Sequence, residues 1–70
     1  MNETADALIR SYTADYKGRA ASRLIDELID MLDFFGYTAR RNGRWMETGE
    51  GRVYRFSWSP AGWVIRDWAI

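Results

Sequence analysis

Residues 52–68 read RVYRFSWSPAGWVIRDW, and this stretch decides the fold. Two runs rich in aromatic and β-branched residues flank Ser59-Pro60-Ala61-Gly62. Such runs suit strands, and proline suits the second position of a β-turn because its ring fixes φ. The four residues therefore predict a tight reversal between strands Arg52–Trp58 and Trp63–Trp68. Successive side chains on a strand point to opposite faces, so the turn sets the register. Trp58 falls opposite Trp63, Phe56 opposite Ile65, Arg55 opposite Arg66 and Val53 opposite Trp68.

Working back along the chain, Gly49-Glu50-Gly51 suits a short hairpin loop and places Met46 beside Tyr54. Asn42-Gly43 is the favoured pair for a two-residue type I′ turn. Strands Tyr37–Arg41 and Arg44–Thr48 follow, although these two also read as one irregular strand or a loop. The result is an antiparallel meander of three to four strands over 37–69. One face carries Met46, Tyr54, Phe56, Trp58, Trp63 and Ile65 and is the expected core face. Fully burying each large side chain is worth roughly 1.5–3 kcal/mol.

The amino half reads as helix. At about 100° per residue, Ala21, Leu24, Ile25, Leu28, Ile29, Met31, Leu32 and Phe35 share one arc, while Arg19, Arg23, Asp26, Asp30 and Asp33 lie opposite. Ala5, Leu8, Ile9, Tyr12 and Tyr16 cluster out of phase with that arc. One straight helix would point its two halves in nearly opposite directions, so the pattern predicts a break at Lys17-Gly18-Arg19. Glycine is the usual left-handed terminator. The expected elements are helices at about 4–17 and 19–35, the second stopped by Gly36 with Tyr37 packing behind it. The alternative is one long helix whose amino end packs on a second subunit. The fold class expected is α+β, a single domain over 1–70 with two helices on one face of the meander.

Composition narrows the function. The chain has no histidine and no cysteine, which removes the usual general base, the thiol nucleophile and the zinc ligands. An enzyme is not expected, and no catalytic, metal or cofactor residue is assigned. Disulfides cannot staple so small a domain, whose core must rest on four Trp, four Tyr and three Phe. Residues 1–36 hold seven acids and four bases, and residues 37–70 three acids and six bases, so halves of −3 and +3 cancel to a formal zero. This reads either as compensation between two packed layers or as two faces of opposite sign. The start has no basic, apolar leader pattern, and no run is long enough for a membrane span. The expectation is a cytoplasmic protein with no membrane partner.

Two surfaces stand out as candidate partner-binding sites. The sheet face opposite the core carries Arg40, Trp45, Glu47, Val53, Arg55, Val64, Arg66 and Trp68. Arginine and exposed aromatics are enriched in binding hot spots and in single-strand nucleic-acid platforms. Arg55 opposite Arg66 is an unfavourable like-charge pair, with Glu47, Asp67 or stacking on Trp45 or Trp68 as its compensation. The other surface is the acidic helix face, Asp15, Asp26, Asp30 and Asp33, beside an exposed Phe34. Each has a plainer explanation: arginine stems shielding tryptophans, and a solvated helix face laced by pairs such as Arg23–Glu27. The basic tip Arg40-Arg41-Asn42-Gly43-Arg44 is too small to specify phosphate binding.

The expected function is a non-enzymatic protein-binding module with a protein partner. It acts through Arg40, Trp45, Arg55, Arg66 and Trp68, together with Phe34, Asp26, Asp30 and Asp33. A small phage or mobile-element inhibitor of a host defence or transcription complex fits by analogy. A nucleic-acid-binding module using the same sheet face is the alternative, against which the absence of net positive charge weighs. A structural homo-oligomer such as a homodimer is the third reading.

Overall fold

Two helices and four strands follow one another along the chain: α1 (Ala5–Asp15), α2 (Ala21–Phe34), β1 (Ala39–Asn42), β2 (Trp45–Thr48), β3 (Arg52–Ser59) and β4 (Gly62–Ala69). The computed structural model describes residues 4–70. The strands form one antiparallel sheet in the order β1-β2-β3-β4, and both helices pack on one of its faces. This is the α+β arrangement expected, with the fourth strand present and paired throughout.

The register follows the turns. Trp58 pairs with Trp63, Phe56 with Ile65, Arg55 with Arg66 and Val53 with Trp68, and Met46 pairs with Tyr54. The first hairpin differs from the expected Asn-Gly type I′ turn. Asn42 pairs with Trp45, which leaves Gly43 and Arg44 as the loop. Of these two loop residues only Gly43 has positive φ, at 64°, the pattern of a type II′ turn with glycine in the first loop position.

α1 begins at Thr4, whose hydroxyl accepts the Ala7 amide at 3.1 Å and so satisfies one orphan donor of the first turn. It presents Ala5, Leu8 and Ile9 to the core, and α2 presents Leu24, Ile25, Leu28 and Leu32. These close over Met46, Tyr54 and Phe56 of the sheet. α2 ends in a Schellman motif: Gly36, with φ of 88°, donates to Asp33 O at 3.0 Å and Tyr37 donates to Leu32 O at 2.9 Å. That ending is the one the sequence predicts, although Phe35 is half-exposed rather than in the core, because it sits at the non-helical cap.

The break between the helices falls where expected but works differently. α1 stops at Asp15 and α2 starts at Ala21, so the linker is five residues long. Gly18 has no positive φ. Its role is close approach: a Cβ there would lie 2.6 Å from the Tyr16 hydroxyl oxygen. The Gly18 carbonyl also accepts the Trp63 indole N–H at 3.1 Å, and the Tyr16 and Trp63 rings meet at 6.0 Å. The linker thus pins the hairpin end of β4. Trp58, expected in the core, remains 41% exposed. At the β3–β4 tip the Trp63 ring meets Trp58 at 5.5 Å and the Arg19 guanidinium lies 5.3 Å from its ring, without enclosing it.

Charged groups join the two layers along their seam. Asp6 accepts from the Tyr54 hydroxyl at 2.8 Å and from Arg10 at 3.0 Å, while Arg10 and Arg52 both pair with Asp67. Burial pushes the Tyr54 phenol up to about 12, and its bond to the Asp6 carboxylate adds to this. Burial also pushes Asp6 up, but the Tyr54 and Arg10 donors outweigh it and hold the carboxyl below its ordinary value.

Candidate functional site

The sheet face turned away from the helices is built by alternation alone. Cross-strand pairing sets its side chains in rows: Arg40–Glu47–Val53–Trp68, then Asn42–Trp45–Arg55–Arg66, then Ser57–Val64. Five of the predicted site residues, Arg40, Trp45, Arg55, Arg66 and Trp68, therefore share this one surface. The other four, Phe34, Asp26, Asp30 and Asp33, lie on α2 in the opposite layer.

The face is not uniformly solvated. Val53 is buried, and the Trp45 and Trp68 rings meet edge to face at 5.5 Å on the same side of the sheet. Both indoles are still about 40% exposed. The structure thus holds a small apolar cluster on its outer face, with two aromatic rings in contact with solvent. Val64 is also exposed. Exposed apolar groups gathered in one place mark contact surfaces better than scattered ones do.

Charge on this face divides sharply. Glu47 accepts from Arg40 at 2.9 and 3.1 Å and from Asn42 at 2.6 Å. The Asn42 bond and then the Arg40 guanidinium hold its carboxyl below the ordinary value. Arg40 is therefore neutralised and is not a free cation. Glu47 does not answer Arg55 and Arg66, as one sequence reading allowed. Asp67 does not either, because the alternation that turns Arg66 outward turns Asp67 to the helix side, where Arg10 and Arg52 hold it. No guanidinium among the described residues stacks on Trp45 or Trp68, whereas Arg19 lies above Trp58. Among the described residues, Arg44, Arg55 and Arg66 form no ion pair. Arg55 and Arg66 are direct cross-strand neighbours.

Arg44 enters this site through the turn. Because the loop is Gly43-Arg44 and not Asn42-Gly43, Arg44 sits beside Trp45 and Arg55 at the rim of an open depression of about 380 Å³, with Asn42 and Gly43 completing its lining. The sequence signal for a tight turn is present, but Asn-Gly is compatible with more than one placement of the loop.

The acidic helix face is less uniform than the sequence suggests. Asp26 is held by Arg41 at 2.5 Å, and the same guanidinium donates to Ser22 O at 2.6 Å. Glu27 accepts from Tyr12 and pairs with Arg23. Asp15 ends α1 and does not continue the α2 row. Asp30 and Asp33 stay exposed with no ion pair among the described residues, next to Phe34, which is 84% exposed.

No helix among the described residues is long and apolar enough to cross a membrane, and no group of His, Cys, Asp and Glu among them is gathered as metal ligands. No protein-family model, curated protein or solved structure matches the chain.

Proposed function

We propose that this protein is a non-enzymatic protein-binding module that docks the open face of its sheet on an acidic surface of a protein partner. One observation carries the reading. Arg55 and Arg66 stand side by side with no carboxylate among the described residues answering either, next to the Trp45–Val53–Trp68 cluster. Two adjacent guanidiniums repel each other in the free protein. Carboxylates from a partner would remove that repulsion, and the indoles would supply the apolar centre of the contact. A face of this kind acts by occupancy, blocking whatever else the partner's surface would bind. Inhibition of a larger complex is the role it suits.

Two features favour a protein over a nucleic acid as the partner. Trp45 and Trp68 meet edge to face at 83°, which does not offer the parallel ring faces on which successive bases stack. The pairing of Arg40 with Glu47 also leaves a basic footprint of only Arg44, Arg55 and Arg66, too short to follow a phosphate backbone.

Affinity capture with tagged protein, with and without nuclease, compares wild type with R55A/R66A. The expected result is a stoichiometric protein that survives nuclease and is lost from the folded double variant. Retention of that protein by R55A/R66A would remove this face from the function. Loss of all bound material on nuclease treatment would identify a nucleic-acid platform instead.

A further inference from the structure

Like charges cluster on the open face without an ion pair among the described residues, and they do so again at the C-terminal end of α2. There Phe34 is the most exposed large apolar side chain among the described residues, with Phe35 edge-on to it at 5.3 Å. Asp30 lies one helical turn before Phe34, on the same face, and Asp33 adjoins it. The last turn of α2 contains no basic residue. A helix C-terminus is already the negative end of its dipole, so carboxylates there are unfavourable to the helix. Both surfaces therefore carry an electrostatic arrangement that works against the free monomer, and the two have opposite signs.

They also match in form. The α2 end offers one ring flanked by two unpaired carboxylates. The sheet face offers an open depression of about 380 Å³ walled by Trp45 and rimmed by Arg44 and Arg55, with Arg66 next to Arg55. We propose that the α2 end of one copy docks on the open sheet face of a second copy, so that the protein associates head to tail. The Phe34 ring enters the depression against the Trp45 indole, and Asp30 and Asp33 meet Arg44, Arg55 and Arg66. A chain cannot fill its own depression, because α2 packs on the other face of its sheet. Each contact leaves one free α2 end and one free sheet face, the pattern of a heterologous, open-ended interface. The chain's formal charge of zero means that no net repulsion between copies opposes it. The proposal rests on the open face being a protein-docking surface and specifies what that face recognises: an exposed aromatic side chain flanked by carboxylates.

Sedimentation velocity of the full chain over a concentration series tests it, at low salt and at about 0.5 M salt, where charges are screened within several ångströms. The expected result is a weight-average sedimentation coefficient that keeps rising with concentration at low salt and falls towards the monomer at high salt. F34S and R55E/R66E each remain monomeric. Mixed in equal amounts they form a heterodimer and nothing larger, since one retains only the sheet face and the other only the α2 end. Both substitutions are on the surface, and circular dichroism confirms that each variant folds. A wild type that stays monomeric throughout overturns the proposal, as does a mixture that fails to pair. A saturating dimer indifferent to both variants also overturns it and moves the contact elsewhere, such as the open edge of β4. The capture experiment separates the two readings. A monomeric wild type whose captured partner is lost in R55A/R66A sinks self-association alone. Self-association with captured proteins unchanged in R55A/R66A supports it and sinks the foreign-partner reading.

Discussion

Arg66→Gln should stabilise the free protein. Arg55 and Arg66 are direct cross-strand partners, and neither meets a carboxylate among the described residues. Taking the two charges as about 6 Å apart in a water-like environment, their repulsion is about 0.7 kcal/mol, and screening at 0.1 M salt lowers it to about 0.4 kcal/mol. That agrees with the few tenths to about 1 kcal/mol typical of unfavourable cross-strand pairs. For a domain of this size, 1 kcal/mol moves the melting temperature by about 4–8 °C, so the expected gain at 0.1 M salt is about 2–3 °C. Glutamine keeps most of the stem that shields the sheet and removes only the charge, while Arg66→Lys keeps the charge and serves as the control. Thermal unfolding followed by circular dichroism should rank R66Q above wild type, with R66K close to wild type. At about 1 M salt, where the Debye length is about 3 Å, the advantage of R66Q should vanish. If R66Q melts at or below wild type, or if R66K gains as much as R66Q, the two guanidiniums do not oppose each other and the argument from uncompensated charge fails.

Two further predictions concern the seam between the layers. The Tyr54 phenol is raised from 10.0 to about 12 in the folded protein, so its contribution is fully present below pH 10 and is lost as the pH climbs from 10 towards 12. Urea denaturation should show wild type more stable than Tyr54→Phe by about 1–2 kcal/mol at neutral pH, as for a hydrogen bond to a charged group, with the difference shrinking towards pH 12 as the buried phenol ionises; a constant difference would show that Tyr54 does not titrate as a buried, hydrogen-bonded phenol. Gly18→Ala should cost about 1 kcal/mol by displacing the Tyr16 side chain, whose hydroxyl oxygen lies 2.6 Å from the new Cβ. The cost should disappear in a Tyr16→Ala background, and full additivity of the two changes would refute a steric cause.

Architecture was legible because the local signals agreed with one another. The proline turn fixed the β3–β4 register, Gly49–Gly51 carried that register to β2, and Gly36 ended α2 with the expected capping bonds. What the sequence did not reveal was set by contacts between elements. Trp58 has the core-face parity, yet at the β3–β4 tip Trp63 and Arg19 leave it 41% exposed. Gly18 reads as a left-handed terminator, yet what requires glycine is the Tyr16 ring folded over it. At the candidate site, parity alone placed Arg55, Arg66, Trp45 and Trp68 together. The partners of Arg40 and Asp26, in contrast, depend on which long side chains reach which carboxylates: Glu47 across the first hairpin and Arg41 from sheet to helix. The entry of Arg44 depends on a one-residue shift of the turn, which Asn-Gly does not resolve.

The opposite charges of the two halves admitted two explanations, internal compensation or faces of opposite sign, and both arrangements occur in different places. At the seam, charges from both halves answer one another: Arg10 with Asp67, and Asp26 with Arg41. Only Asp26 with Arg41 sets a majority charge of one half against a majority charge of the other, while Arg10 with Asp67 joins the minority charges of the two halves. Part of the remainder is gathered into two groups. Three bases, Arg44, Arg55 and Arg66, gather around Trp45 on the outer sheet face, and two acids, Asp30 and Asp33, gather around Phe34 at the end of α2. A sequence selected only for a stable monomer would gain by separating the first set and by placing a base among the second. Each arrangement makes sense when the opposite charge comes from another molecule, and in each the exposed aromatic ring is where that molecule would be anchored.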